Sequence, residues 1–241
     1  MNLVAFDYAM IGILVVGLPL YGLWEYRSMR RWASDPRVRS YKLTILTETV
    51  LSLLVLGLWA ATARDFTDLG LGLEQTWRWW LGVAIVIATG ALLAVQTVTL
   101  WNDPEKLANV RRQLGELRDL LPRGTREQRW WIAMSITVGV CEELLYRGYL
   151  IAVLDVFLEL WQSVLLSTVA FGLIHIYQGR SGILKTGAFG LVLAGLFLLT
   201  GSLWAPILIH MVMDIASGIT GRRALQQPTP AAPPHREDQT G

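Results

Sequence analysis

Long apolar segments recur along the whole chain and restrict it to folds that are built in a lipid bilayer. They cover residues 6–23, 43–61, 81–100, 130–148, 163–177, 183–200 and 203–219. Roughly 20 apolar residues of helix cross the hydrocarbon core of a membrane, and only helices or closed barrels can do so. Hydrophobic residues make up 53% of the 241 residues, and the mean hydropathy is +0.43. The sequence therefore predicts an all-α, polytopic transmembrane helical bundle of about seven spans.

Basic residues are concentrated in alternate loops, and this asymmetry predicts the orientation. If the loop at residues 27–42 is cytoplasmic, 18 of the 21 Lys and Arg residues lie on that side, and only Arg64, Arg78 and Arg147 do not. Cytoplasmic loops of membrane proteins carry an excess of Lys and Arg. We therefore expect a multi-pass protein of an inner cell membrane, with its N-terminus outside and its C-terminus in the cytoplasm. No basic region precedes the first apolar segment, so we expect no cleavable signal peptide.

The pattern divides the chain into four regions. Residues 1–101 should form three transmembrane helices, 102–128 a cytoplasmic amphipathic helix and loop, 129–221 the core helices, and 222–241 a disordered tail rich in proline. In the second region, apolar residues recur every three or four positions with basic residues between them. This favours a helix on the membrane surface over a solvent-facing connector.

Three local features of the sequence lead to separate structural predictions. Pro19 should kink the first span. Glu48 lies near the basic end of the second span, where its side chain could snorkel to the surface or pair with a loop arginine. The segment 150–160 is apolar but contains Asp155 and Glu159, which suggests a tilted, partial or re-entrant helix.

Charged residues lie at the end of the fourth apolar segment, in the sequence Cys-Glu-Glu-Leu-Leu-Tyr-Arg-Gly at 141–148. Charges in a bilayer cost several kcal/mol each, so they are usually paired and functional. Glu143 and Arg147 have the i, i+4 spacing of a helical ion pair. Glu142 lies about 100° away from Glu143 on an ideal helix, so the two should face different ways. That leaves Glu142 free as a general base, whereas Cys141, the single cysteine, is better explained as a packing residue.

Two histidines lie in apolar helices farther along the chain. Phe171 precedes His175 by one turn, and His210 precedes Asp214 by one turn, whereas the third histidine, His235, is in the tail. A lone histidine in a membrane is often only a hydrogen-bonding residue, but two of them with Glu142 and Asp214 favour a site. Asp214 could orient the imidazole of His210, or both could bind a metal. Spacing alone does not decide between a zinc-type site and a metal-free acid–base site with oxyanion stabilisation.

Three motifs, on separate helices and in this order, resemble the CPBP family of intramembrane metalloproteases. The motifs are Glu142-Glu143-x-x-x-Arg147, Phe171-x-x-x-His175 and His210-x-x-x-Asp214. This family comprises the CAAX prenyl endopeptidases and the bacteriocin-processing proteins, and is also called the Abi family. The resemblance covers about residues 128–220.

The resemblance implies an intramembrane endopeptidase with Glu142, Glu143, His175, His210 and Asp214 at its catalytic site. Glu142 would activate water, the two histidines would bind a metal or polarise the carbonyl, and Arg147 and Phe171 would support them. Asp214 stands where the prenyl proteases have asparagine. An ionised aspartate cannot donate a hydrogen bond to an oxyanion, so Asp214 suits metal binding or the orientation of His210 better. The implied metal is a divalent ion, most readily zinc, held by His175, His210 and Asp214.

The expected partners are the lipid bilayer and a hydrophobic or lipidated peptide substrate, with no nucleic acid. A proton-coupled transporter is a second hypothesis, because buried Glu, His and Asp also form proton relays, although the chain halves show no repeat. A catalytically idle membrane adaptor or immunity protein is a third. The topology also places His175 near the inner end of its helix and His210 near the outer end of its own. The two can meet only if a helix is tilted or short.

Overall fold

The computed structural model describes residues 2–32, 34–72 and 75–227, and these residues form helices and loops without a β-strand. The helices are α1 (Ala5–Met29), α2 (Pro36–Ala61), α3 (Trp77–Trp101), α4 (Pro104–Gln113), α5 (Leu117–Leu120), α6 (125–154), α7 (Leu160–Ile174), α8 (Gly179–Thr200) and α9 (Trp204–Gln226). The prediction of an all-α transmembrane bundle is confirmed.

Five of these helices are long and apolar enough to cross a membrane: α1, α2, α3, α9 and the segment Ile176–Thr200 that contains α8. Helix α6 is also long but carries the charged residues of the 141–148 segment, and α7 is apolar but has only 15 residues. Each of the seven predicted segments thus corresponds to a helix. The chain is a multi-pass membrane protein.

Several predicted boundaries are wrong. Helix α9 continues to Gln226, past Arg222 and Arg223, so the tail begins later than residue 222; residues 228–241, with His235, lie outside the described part of the chain. Segment 150–160 forms no helix of its own, because α6 ends at Leu154 and α7 begins at Leu160. The amphipathic helix is divided into α4 and α5, because Gly115 takes a left-handed conformation with φ +50°.

Two helices contain π-helical turns. In α1 the turn spans Ile13–Gly17, just before Pro19, which has no N–H to donate to the carbonyl of residue 15. Near Pro19, where a kink was expected, the helix contains this π-helical turn. In α6 the π-helical segment Glu143–Leu150 begins inside the charged sequence, and all eight of its residues are buried. π-Helical turns are rare in proteins overall, and those that occur are often located at functional sites.

Helices α6 and α9 approach each other closely because small residues lie at their contact. Gly139 of α6 faces Met211 of α9, and Gly218 of α9 lies against the indole of Trp131. The indole Nε1 of Trp131 donates a hydrogen bond to the carbonyl oxygen of Asp214 at 2.9 Å. In a membrane, close packing of this kind replaces the hydrophobic effect as the force that holds helices together. It fixes the part of α9 that carries His210 against α6.

A buried polar cluster, which the sequence did not suggest, joins α1 to the loop after α2 and to α6. The carboxylate of Asp7 accepts two hydrogen bonds from the guanidinium of Arg64, at 3.0 and 2.7 Å. The hydroxyl of Tyr149 donates a third at 2.9 Å. Because Arg64 follows α2, this cluster holds three separate parts of the chain together.

The apolar face of the amphipathic region is present but is covered by the protein. Leu107 of α4 and Leu121, just after α5, are fully buried, and Leu121 packs with Tyr41 and Trp131. Asp103 caps α4 by accepting hydrogen bonds from the backbone N–H groups of Lys106 and Glu105, and these bonds lower the pKa of its carboxyl. Leu107 and Leu121 belong to the apolar face that was expected to meet the membrane, but they are core residues of the protein.

Candidate active site

The two adjacent glutamates of α6 flank one imidazole. Nδ1 of His210 donates a hydrogen bond to Oε1 of Glu143 at 2.8 Å, and Nε2 of His210 lies 3.7 Å from Oε2 of Glu142. The two carboxylates approach different edges of the ring, and of the two only Glu142 lines the cavity described below. This agrees with the expectation that the two glutamates face different ways.

Arg147 is held in place from three sides. Its guanidinium donates to Oε1 of Glu143 at 2.9 Å and to the carbonyl oxygen of Gly190 at 3.0 Å, and it lies 3.9 Å from the ring centroid of Phe171. A Cβ at position 190 would come within 2.8 Å of the guanidinium, so glycine permits this contact. The predicted pairing of Glu143 with Arg147 is confirmed. Since Oε1 of Glu143 serves both Arg147 and His210, this residue is engaged in positioning them.

Glu142 is the carboxylate left without such partners. Its side chain is buried, and its Oε2 has no hydrogen-bond partner among the described residues. An unpartnered polar atom in a buried site costs free energy unless a ligand or water meets it. The arrangement therefore leaves Glu142 available for a bound molecule.

Asp214 is near His210 but does not orient it. Its Oδ2 lies 3.8 Å from Nε2 of His210, which is too long for a hydrogen bond. The residue that orients this imidazole is Glu143, on a different helix. Asp214 instead lies on the wall of a cavity, with its side chain about a third exposed (32%).

His175 lies at the end of α7, one turn beyond Phe171. Its Nδ1 bonds with the carbonyl oxygen of Phe171 at 3.0 Å, which directs the other nitrogen to a different partner. The ring of Phe171 lies 5.2 Å from that of His175 and 5.9 Å from that of His210. Phe171 thus packs near both imidazoles. Both imidazoles line one cavity, and α7, which carries His175, has only 15 residues.

A cavity of about 470 Å³ connects these residues. Glu142, His175, His210 and Asp214 line it, and so do residues of α1 and α2. This volume is in the range of about 300–1,000 Å³ that is usual for ligand sites. The four side chains therefore share one space, which could hold a short stretch of peptide.

Sequence reasoning missed Glu48 as a residue of this cavity. Its side chain is buried, it lines the same cavity as Glu142 and His210, and its Oε2 has no hydrogen-bond partner among the described residues. The expectation that Glu48 snorkels or pairs with a loop arginine is wrong. Polar residues line the cavity along one face of α2, namely Ser40, Thr44, Thr47 and Glu48. Their three- and four-residue spacing was the signal that could have placed Glu48 inside.

The donor atoms of the predicted metal ligands do not converge on one point. Among the residues described, no group of three or more His, Cys, Asp or Glu side chains could hold one. Nδ1 of His210 and Nδ1 of His175 each form a hydrogen bond within the protein, as is usual for metal-binding histidines, so only Nε2 of each ring is left for a ligand. The predicted metal ligands His175, His210 and Asp214 share the cavity wall without forming a coordination site.

Comparison with known proteins identifies one segment of the chain. Residues 127–216 match the family described as Type II CAAX prenyl endopeptidase Rce1-like. This segment extends from the start of α6 to α9 and contains all three motifs, whereas Glu48 lies outside it. No curated protein and no solved structure matches the chain. The resemblance to the CPBP and CAAX protease family is confirmed over these residues.

Proposed function

We propose that residues 127–216, which match a family of CAAX endopeptidases, form the catalytic unit of an intramembrane endopeptidase. The observation that carries the proposal is the pairing of an unpartnered carboxylate, Glu142, with an imidazole that a second glutamate holds in place. His210 is fixed by Glu143, and Glu143 is fixed by Arg147. A general base next to a positioned hydrogen-bond donor is the combination that hydrolysis of a peptide bond requires.

In the proposed reaction, Glu142 takes a proton from a water molecule in the cavity while the water oxygen attacks the scissile carbonyl carbon. His210 acts as an imidazolium: its Nδ1–H donates to Glu143, and its Nε2–H, on the edge of the ring that faces Glu142, donates a hydrogen bond to the developing oxyanion. His175, whose Nδ1–H donates to the carbonyl oxygen of Phe171, presents Nε2 as an acceptor and therefore orients the attacking water rather than the oxyanion. Glu142 then passes its proton to the leaving nitrogen, and the C–N bond breaks. Asp214 acts on the charge of His210 rather than on the oxyanion.

The lipid environment defines the proposed substrate. The catalytic residues lie on helices within a multi-pass bundle, so a substrate must reach the cavity from the bilayer or from its surface. We infer a hydrophobic or lipidated peptide in an inner membrane. The basic loops support an N-terminus outside and a C-terminus in the cytoplasm.

The proposal is tested by profiling new peptide N-termini in membranes from cells that express the wild type or Glu142→Gln at matched levels. We expect a set of termini that occurs only with the wild type. If the two sets are the same although both proteins are inserted and folded, the protein is not a protease for any substrate in those cells. Cells that supply hydrophobic and lipidated test peptides make this result decisive.

We expect the reaction not to need a divalent metal. His175, His210 and Asp214 are the residues that would hold one, and it would supply a Lewis acid to polarise the carbonyl. Since the donor atoms do not converge, we expect cleavage to remain within about twofold of its initial rate after treatment with a chelator. Cleavage of a fluorogenic peptide by the purified protein, before and after dialysis against EDTA, measures this. Loss of activity that returns with zinc would contradict it.

Glu48 should influence the reaction from outside the family segment. We expect Glu48→Gln to lower kcat about tenfold with little change in KM, because its unpartnered carboxyl lines the same cavity as Glu142 and can take part in the proton transfers there. Glu25→Gln is the matched control: Glu25 lines the same cavity, but it accepts a hydrogen bond from Ser40 at 2.7 Å. Steady-state cleavage rates compare the two variants. An equal loss in both would show that Glu48 has no particular role.

A proton-coupled transporter is the second candidate, because Glu25, Glu48 and Glu142 all line one cavity. Such a series of carboxylates could carry protons. Uptake into proteoliposomes that persists in Glu142→Gln, without peptide cleavage by the wild type, would favour this function.

A further inference from the structure

Three arginines surround a second, smaller pocket at the ends of α5 and α9. Arg118 comes from α5, Arg123 from the loop before α6, and Arg222 from α9. Leu225 and Gln226 complete the wall, and the volume is about 140 Å³. The proposed catalytic cavity has no lining residue in common with it.

The carboxylates in this part of the protein are engaged elsewhere. Asp119, next to Arg118 in sequence, binds the guanidinium of Arg30 at 2.9 Å. Glu127 pairs with Arg37 at 3.4 Å and accepts a hydrogen bond from the backbone N–H of Arg123. Within the described residues, no ion pair includes the guanidinium of Arg118, Arg123 or Arg222. Three like charges therefore converge without a counter-charge from the protein.

Tryptophans mark the depth of this pocket. Arg223, which follows Arg222, stacks on Trp101 at the end of α3, with 4.9 Å to the ring centroid. Lys42 stacks on Trp130 of α6 at 4.6 Å. Tryptophan is enriched where the headgroups of lipids meet the hydrocarbon, so these two pairs place this end of the bundle at the headgroup level.

We propose that the Arg118–Arg123–Arg222 pocket binds the phosphate of an anionic phospholipid. Guanidinium groups bind phosphate with paired hydrogen bonds, and basic pockets between transmembrane helices are suited to lipid headgroups. The depth favours a lipid over a soluble anion, and Leu225 gives the pocket an apolar side for the glycerol region. The bound phosphate joins the α5–α6 connection to the end of α9, the helix that carries His210. The proposal does not depend on the proposed protease activity.

The test uses the full chain in nanodiscs of phosphatidylcholine with or without phosphatidylglycerol. The pocket variant is Arg118→Gln with Arg222→Gln. The matched control is Arg112→Gln with Arg129→Gln, which removes the same charge from exposed arginines of the same region, outside the pocket. Lipid affinity is read by native mass spectrometry and by the increase in melting temperature that phosphatidylglycerol causes.

We expect the pocket variant to bind phosphatidylglycerol at least about fivefold more weakly than the wild type, and the control to stay within about twofold. Equal losses in both variants would mean a general surface-charge effect and would overturn the proposal. Inorganic phosphate added to phosphatidylcholine nanodiscs is the third arm, and equal stabilisation by it would identify a site for free anions instead. If the pocket variant does not fold, the single change Arg123→Gln, on an exposed loop residue, supports the same comparison.

Discussion

Glu142→Gln is expected to slow peptide cleavage by about 10²–10⁴-fold, the usual contribution of a general base, and to leave the fold intact. Glutamine has the shape of glutamate but cannot accept the proton of the attacking water. Because Oε2 of Glu142 has no partner among the described residues, the substitution breaks no hydrogen bond of the protein at that atom. The measurement is kcat for a fluorogenic peptide, with the purified protein reconstituted in liposomes.

The control for this variant is Glu25→Gln, the same chemical change at another cavity glutamate. It should keep kcat within about threefold of the wild type, since Glu25 lies beside Ser40 rather than beside His210. Melting temperatures of both variants must equal that of the wild type. Cleavage by Glu142→Gln at the wild-type rate would remove Glu142 from the mechanism and with it the proposed reaction.

Arg147→Leu should reduce the free energy of unfolding by about 3–5 kcal/mol, which is the usual loss when one partner of a buried ion pair is removed. Glu143 would then remain charged in the bundle interior with only His210 beside it. Arg147 also contributes the contact with Phe171 and the hydrogen bond to Gly190. Titration with SDS in mixed micelles, followed by tryptophan fluorescence, measures the loss.

The double variant Glu143→Leu with Arg147→Leu separates stability from activity. Because both charges are gone, we expect it to recover most of the stability that the single variant loses. Cleavage should nevertheless stay about 10²-fold below the wild type, because His210 has lost the carboxylate that orients it. If the double variant recovers its activity along with its stability, Glu143 contributes to folding alone.

The sequence predicted the contacts that lie within one helix and missed most of those between helices. Glu143 and Arg147 are four residues apart, so helical spacing alone brings them together. The bond between Glu143 and His210 joins positions 67 residues apart, and it depends on how α6 and α9 are rotated about their axes. The spacing of apolar residues in the sequence does not determine how the two helices are rotated. This is why Asp214, the neighbour of His210 along its own helix, was the expected orienting residue.

The N-terminal helices show the same limit. Asp7 and Arg64 pair across 57 residues, and no local pattern marked either as a partner of the other. The expectation that Glu48 reaches the membrane surface rested on its position near the end of its helix. Its side chain lines the cavity instead, and a position along the helix does not determine that direction. Helix boundaries failed for a different reason. The π-helical segment Glu143–Leu150 runs directly into the α-helical turn Ile151–Leu154, which extends α6, and α9 continues to Gln226, beyond the boundary expected at residue 222.

The charges of α6 have a consequence for how the protein is made. Each Glu or Arg at the centre of a helix adds about 2.5–3.5 kcal/mol to the cost of insertion by the translocon, and an apolar residue returns only about 0.3–0.6 kcal/mol. With Glu142, Glu143 and Arg147, α6 is a poor candidate to leave the translocon for lipid on its own, and it is not among the five helices that qualify by composition. Helix α2, which packs on α6 and is synthesised earlier, offers a polar face at Thr47 and Glu48. The emerging helix can therefore enter the bilayer against a protein surface instead of lipid, so the order of synthesis is part of how the site is assembled.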